Sequence, residues 1–295
     1  MIKIKAPAKL NLFLEVTGKR PDGYHDLATI FARVAAGDEL SLARSAAPGI
    51  KLEVKGAAVP GLKKLSDNLV YKAAERFFKA FSLEPAVKIT LRKILPVGAG
   101  LGGGSSDAAS TLLGLCRLYD IPRKANAVKL RRLAAGLGSD VPFFMLERPL
   151  AAATGRGERL RPLAARGKMP EVVIIYPGRP VYTKEAFGRL RLAAKPAIKL
   201  GLAAFRETIR NIEGGRFTRD RSGLLLNRLE EAVLPLRRDV RLAKALLERA
   251  GADKVLMSGS GAAVFALVWK PGLARRIAAA ARLNHNYTVF FTEFC

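Results

Sequence analysis

The residues best equipped for chemistry lie in one stretch, Pro96-Val97-Gly98-Ala99-Gly100-Leu101-Gly102-Gly103-Gly104-Ser105-Ser106. Its five glycines remove the Cβ atoms that would hold a ligand away from the backbone. An amphipathic helical pattern follows, with Ser105 in the capping place and Ala108, Leu112, Leu115 and Tyr119 along one face. A helix start offers unpaired N–H groups and a partial positive charge. Loop plus helix start therefore suits an anion the size of a triphosphate. The plainer alternative is a flexible loop ending in an ordinary serine cap. Asp107, placed in the first turn, reads as a partner of the helix dipole, because a carboxylate beside phosphates would repel them.

Other chemical groups are scattered along the chain. Asp140 sits in Gly138-Ser139-Asp140-Val141-Pro142 and is the candidate general base. Pro142 is expected to push Val141 toward an extended conformation and so fix the carboxylate. Otherwise Asp140 is a cap. Lys9 lies in a strand pattern, where it is an edge lysine or a cation that stabilises transferring phosphate. Tyr24 and His25, in a Gly-Tyr-His turn, are either suited to stacking on and hydrogen-bonding a planar ligand or simply part of a turn with a buried tyrosine. Ser258-Gly259-Ser260-Gly261 is a second tight turn.

Competing phosphate motifs fit less well. Gly98, Gly100 and Gly103 satisfy the dinucleotide fingerprint. That fingerprint wants its last glycine packed inside the helix, whereas Gly103 is followed by Gly104 and a Ser-Ser cap. It also wants a strand next, whereas Tyr119–Pro122 leads into another helical pattern. Gly-Lys-Ser/Thr, His-Arg-Asp and Asp-Phe-Gly are all absent.

The elements that must position these groups mix strands and helices, with several adjacent strands at the start. Leu10, Leu12, Leu14 and Val16 form one face of a strand, which puts Lys9 and Asn11 on the other. Arg20-Pro21-Asp22-Gly23-Tyr24-His25 is a turn. Strands are expected over 26–35, 39–43, 50–54 and 86–91, with a helix capped by Asp67 or Asn68 running to Phe81. A helix spans about 125–135. The basic, proline-containing stretch 161–168 reads as a linker. Beyond it come a strand (172–176), a helix (184–192), a weakly patterned basic stretch to Arg221, and helices over 225–232 and 240–250. Strand, turn, strand, helix and strand then complete the chain, over 254–257, 258–261, 263–269, 272–283 and 288–292. This mixture favours an α+β fold.

Composition sets the outer bounds. The 295 residues are 49% hydrophobic, which is enough for full cores, and the length suits one large or two moderate domains. Lysine and arginine outnumber acids 51 to 25, for a net charge of +26. Such charge invites a nucleic-acid reading. That reading wants aromatics among the basic clusters, and Arg216–Arg238 holds only Phe217. Two cysteines, Cys116 and Cys295, with two histidines, give neither a disulfide framework nor zinc spacing, so a cytoplasmic setting is expected. No apolar run of about 18 residues suggests a membrane span.

Taken together, Pro7-Ala8-Lys9-Leu10-Asn11, the glycine stretch continuing into Asp107-Ala108-Ala109, and Ser258-Gly259-Ser260-Gly261-Ala262 resemble the GHMP small-molecule kinases. Arg20–His25, Asp67-Asn68-Leu69, Gly138–Pro142 and Gly155-x-Gly157-Glu158 narrow the resemblance to the 4-diphosphocytidyl-2-C-methyl-D-erythritol kinases. It spans nearly the whole chain.

The resemblance implies two lobes. Residues 1–163 would be an N-terminal lobe like ribosomal protein S5 domain 2, and 164–295 a ferredoxin-like C-terminal lobe. It implies ATP with Mg²⁺ and phosphorylation of a cytidyl substrate at its 2-hydroxyl, in non-mevalonate isoprenoid synthesis. Asp140 and Lys9 match the catalytic pair. Asn11, Tyr24 and His25 match substrate-holding positions, and Pro96–Ser106 match the phosphate loop. Asn68 and Lys93 match the adenine end of ATP. Phe187 is expected on the cytosine face, with Tyr182 as competitor. Two departures stand out: Ser139 for the usual alanine, and Arg228 where aspartate is common. Other GHMP kinases, acting on mevalonate, a homoserine-like alcohol or a sugar, fit Tyr24 and His25 less well. A catalytically dead relative is at odds with the intact Lys9 and Asp140.

Overall fold

The computed structural model describes residues 1–56 and 64–295. The chain forms two compact units. One comprises residues 1–8, 37–97 and 102–147, and the other residues 9–36, 98–101 and 148–295. Strands β1 (Ile2–Lys19) and β2 (His25–Arg44) contribute residues to both. Among the described residues, no helix is long and apolar enough to cross a membrane.

In the first unit, β3 (Gly49–Gly56) and β4 (Ala86–Lys93) pair in parallel, and β4 pairs antiparallel with Glu39–Arg44 of β2. Helix α1 (Leu69–Phe81) lies between β3 and β4 in the chain. Its buried residues Val70, Ala73, Ala74, Phe77 and Phe78 form one stripe, and Asn68 caps it by accepting from Val70 N at 2.9 Å. Helix α1 packs on α2 (Gly103–Leu118). Residues Ala108, Leu112 and Leu115 are buried as expected. Helices α3 (Ala127–Leu137) and α4 (Val141–Met145) complete this unit.

Strand β2 is continuous where a break was expected at Ala36–Asp38. Gly37 explains this: a Cβ there would lie 2.3 Å from Ala6 O, so glycine lets the strand pass close to β1 without turning.

In the second unit, β5 (Leu150–Gly155) pairs antiparallel with Leu27–Ala32 and with β6 (Arg159–Pro162). A second sheet has the order β10–β7–β9–β8, all antiparallel, from β7 (Glu171–Tyr176), β8 (Lys254–Met257), β9 (Val264–Val268) and β10 (Thr288–Thr292). Helices α8 (Arg238–Arg249) and α9 (Leu273–Arg282) pack on it. The order β7-α8-β8-β9-α9-β10 gives a split βαβ pair, the ferredoxin-like arrangement. Three further helices interrupt its first crossover: α5 (Thr183–Arg189), α6 (Lys195–Glu213) and α7 (Glu230–Val233).

Helix α6 occupies most of the stretch that lacked a readable pattern. Its buried positions are Gly201, Phe205, Thr208, Asn211 and Ile212, a helical stripe with only two large apolar members. Helix α7 is shorter than the expected helix over 225–232, because Leu225 and Leu229 are buried from the loop that precedes it.

Candidate functional site

In the second unit, Lys9 and Asn11 come from β1, and Thr29 from β2. The Lys9 ammonium donates to Asn11 Oδ1 at 2.6 Å, and Asn11 Nδ2 donates to Thr29 Oγ1 at 2.8 Å. Thr29 in turn donates to Phe13 O at 2.6 Å. Lys9, Asn11 and Thr29 are buried. The chain of bonds fixes which way the Asn11 amide points and holds the ammonium in one place. Phe31 adds a ring face 5.7 Å from Lys9 Nζ. Strand alternation placed Lys9 and Asn11 together in advance, but nothing in the sequence marked Thr29.

Residues 98–101 of the glycine stretch are held by all four of their carbonyls. Gly98 O accepts from Val181 N (3.2 Å), Ala99 O from Ala263 N (3.0 Å), and Leu101 O from Lys9 N (2.9 Å). Gly100 O accepts from Ser258 Oγ at 3.0 Å. A loop meant for an anion gains from having its own acceptors occupied, since unoccupied carbonyls would repel phosphate oxygens. Gly100 must be glycine twice over: its φ is +76°, and a Cβ would lie 2.0 Å from Ser258 O. The turn 258–261 is thus a clamp on the loop as well as a link between strands. Asn227 steadies this turn by donating to Met257 O and Gly259 O, both at 2.7 Å.

The turn before β2 is built as its residues predict. Arg20 N donates to Tyr24 O at 2.8 Å, and Asp22 Oδ1 accepts from Tyr24 N at 3.1 Å. Tyr24 is exposed, with the Arg156 guanidinium 5.0 Å from its ring centre. His25 is half-buried and stacks on Phe187, with ring centroids 5.0 Å apart and planes 26° apart. Burial first, and Lys19 second, hold the His25 imidazole below its ordinary pKa, which favours the neutral ring. Tyr182 is 64% exposed, so the ring set against His25 is that of Phe187.

In the first unit, α2 begins two residues earlier than expected. Gly102 is its N-cap, in the left-handed region with φ +69°, and Gly103 is its first residue. Ser105 is therefore inside the first turn, and the helix start is bare glycine backbone. This also removes one objection to the dinucleotide fingerprint, since Gly103 is helical after all. The other objection stands: α2 is followed by α3, not by a strand. Ser106 Oγ is buried with no hydrogen-bond partner.

Asp140 occupies the N-cap place of α4, yet its side chain makes no capping bond. Val141 is helical rather than extended, because Pro142 falls in the first turn, where its missing N–H removes no helical bond. The half-buried Asp140 carboxylate is thus held by a short rigid helix without being used to cap it. A Cβ on Gly138 would lie 3.8 Å from Ser105 Oγ, so this turn runs beside the start of α2.

Asp107 lies outside the first turn of α2, and Lys93 is paired with it. Asp107 is the fifth residue of α2 and is buried. Its Oδ2 accepts from Lys93 Nζ at 2.9 Å, and Lys93 Nζ also donates to Asp38 Oδ2 at 2.5 Å. Two carboxylates thus share one ammonium. Burial, opposed by Lys93 but reinforced by Asp38, pushes the Asp107 pKa up to about 7. A folded pKa above the unfolded carboxylate value means that Asp107 costs stability as pH rises from about 4 through 7. We therefore expect Asp107→Asn to gain on the wild type as pH is raised from 5 to 8, read as the difference in melting temperature. A difference that stays constant over that range would exclude this titration.

The described residues contain no group of three or more His, Cys, Asp or Glu able to hold a metal ion. A Mg²⁺ carried by a nucleotide needs only one or two protein oxygens besides the phosphates. The orphaned Ser106 oxygen at the helix start is compatible with that.

Residues 68–148 match the GHMP kinases N terminal domain, and residues 208–286 match GHMP kinases C terminal. A protein of Exiguobacterium sibiricum named 4-diphosphocytidyl-2-C-methyl-D-erythritol kinase is 39% identical over 276 residues, covering 94% of this chain and 92% of its own. The kinase of the same name in Bacillus subtilis is 36% identical, covering 92% of this chain and 90% of its own. A crystal structure of 4-(cytidine 5'-diphospho)-2C-methyl-D-erythritol kinase superposes with a TM-score of 0.78 at 34% identity, covering all of both chains. Homoserine kinase from Cytophaga hutchinsonii shares the fold, with a TM-score of 0.77 at 20% identity over 99% of this chain and 94% of its own. The chain belongs to the 4-diphosphocytidyl-2-C-methyl-D-erythritol kinase family of the GHMP kinases.

Proposed function

We propose that this chain transfers the γ-phosphoryl group of ATP to the 2-hydroxyl of 4-diphosphocytidyl-2-C-methyl-D-erythritol, giving the 2-phosphate and ADP in non-mevalonate isoprenoid synthesis. The kinase reading is carried by the loop whose four successive carbonyls are withdrawn into hydrogen bonds just before a bare helix start. The identity of the alcohol follows the names of the relatives. The lobes divide near residue 163, and the setting is the cytoplasm.

In this mechanism Asp140 takes the proton of the 2-hydroxyl as its oxygen attacks the γ-phosphorus, and ADP leaves with the bonding electron pair. Lys9 supplies a fixed positive charge for the developing negative charge. Pro96 through Ser106 hold the phosphates, and Asn68 and Lys93 lie toward the adenine end. Ser106 Oγ, buried without a partner, would hold a Mg²⁺ brought by the nucleotide, which would offset phosphate charge. Asn11, Tyr24 and His25 hold the acceptor, and Phe187 stacks on its cytosine.

The direct test is ATP consumption with the cytidyl substrate, set against mevalonate, homoserine and sugars. Turnover of one of those alcohols in preference to the cytidyl substrate would overturn the substrate assignment. Phe187→Ala should raise the KM for the cytidyl substrate about tenfold, since ring stacking on a base contributes about 1–3 kcal/mol. The KM for ATP should stay within about twofold, and Tyr182→Ala should change neither. If Tyr182→Ala gives the larger effect, the stacking residue is Tyr182.

A further inference from the structure

We propose that Asp38 is a positioning residue for the phosphate loop, anchoring the segment that leads into it through two backbone bonds. Asp38 is completely buried near the middle of β2. Its Oδ1 accepts from Ile94 N at 2.6 Å and from Leu95 N at 2.8 Å. These are the two residues immediately before Pro96, where the glycine stretch begins. Its Oδ2 accepts from Lys93 Nζ, which reaches on to Asp107 in α2. One carboxylate therefore ties the end of β4, the two residues leading into the loop and, through Lys93, the second turn of α2.

The cluster also lies against the helix start itself. A Cβ on Gly103 would sit 3.2 Å from Lys93 Nζ and 3.4 Å from Asp38 Oδ2. The first residue of α2 is thus seated directly on the charged group. Its N–H groups, the proposed phosphate donors, keep their place only if this seat does not move.

The charge balance points to position as the role of Asp38. Lys93 already has Asp107 as counter-ion. Two carboxylates share this one ammonium, so one buried negative charge is left over, and a surplus buried charge is costly unless it is hydrogen-bonded. At Asp38 the two backbone donors and Lys93 meet that need, and charge-assisted bonds of this kind are the stronger class. Removing the Asp38 charge leaves a balanced Lys93–Asp107 pair, whereas removing its acceptor oxygen frees Ile94 and Leu95.

This inference rests on the reading of the glycine stretch as an ATP site, and its test separates the two. Asp38→Asn retains an oxygen for Ile94 and Leu95, and Asp38→Ala does not. ATP affinity would be measured by calorimetry with a non-hydrolysable analogue, alongside the KM of each substrate. We expect Asp38→Ala to weaken ATP binding about tenfold or more, with the KM for the acceptor alcohol within about twofold, and Asp38→Asn to restore most of the affinity. Should Asp38→Ala be too unstable to purify, Asp38→Asn is compared with Asp38→Leu, which fills the space and lacks the acceptor.

Equal loss of ATP affinity in the Asn variant and in the variant lacking the acceptor would overturn the anchoring role. So would a parallel rise in both KM values, which marks general loosening. A wild-type chain that binds no ATP would overturn the kinase reading, and this one with it. Wild-type binding with unchanged affinity in the variant lacking the acceptor would overturn this one alone.

Discussion

Asp140→Asn is expected to lower kcat by about 10²–10⁴ while leaving both KM values within a few-fold of wild type. The substitution is nearly isosteric and removes one capacity, that of accepting a proton. Stability should hardly change, because the carboxylate makes no capping bond to α4. The backbone that places it is fixed independently, by Val141 N donating to Gly138 O and Phe143 N to Asp140 O. A pure loss of kcat is therefore the signature of a base used only in the transition state. Turnover within about threefold of wild type would exclude Asp140 as the base.

The second large effect concerns stability. Arg228 stands where the family commonly has aspartate, and the structure supplies its counter-charge. Arg228 Nε and Nη2 donate to Glu15 Oε1 and Oε2 at 2.8 and 2.7 Å, and Glu15 is completely buried. Arg228→Ala would strand a buried carboxylate, with an expected cost of about 3–5 kcal/mol in denaturant unfolding. The double variant Glu15→Leu/Arg228→Met should recover most of it, because an apolar pair of similar volume avoids desolvating two charges. A loss below about 1 kcal/mol in the single variant would mean that water reaches Glu15.

How far the sequence reveals this molecule depends on whether a residue acts through its neighbours in the chain or through distant ones. Period-two alternation was enough to put Lys9 beside Asn11. Proline and glycine content was enough to draw the turn before His25. The first crossover of the ferredoxin-like sheet was less legible. Helix α6 buries glycine, threonine and asparagine along its stripe, and a hydrophobic pattern does not register those. The site followed the same rule. The glycine stretch announced itself, but the residues that hold it did not. Asp38 sits beside a glycine that looked like a strand break, and its carboxylate matters through Ile94 and Leu95, over fifty residues away. Asp107 was misread for a related reason: its partners, Lys93 and Asp38, come from two other elements.

The net charge of +26 also takes a narrower meaning. Some of the arginine is engaged in ion pairs, as in Arg161 with Glu213, Arg237 with Asp239 and Arg219 with Asp253. The exposed Arg161–Glu213 pair adds little stability. A positive field would still raise the encounter rate with ATP and a diphosphate substrate, both polyanions. We expect that contribution to appear as a fall in kcat/KM with added salt.

The clamp on residues 98–101 has a consequence for the order in which the protein becomes active during synthesis. Of the four donors that set the loop, only Lys9 N precedes it in the chain. Val181 N, Ser258 Oγ and Ala263 N follow at separations of 83 to 164 residues. Contacts that distant are the slow ones, because loop-closure entropy precedes any gain from them. During synthesis the glycine run is therefore expected to gain its full set of bonds only after residues 181, 258 and 263 have been made. Nucleotide affinity is thus a late-acquired property, and a nascent or C-terminally truncated chain would carry the motif without the cradle.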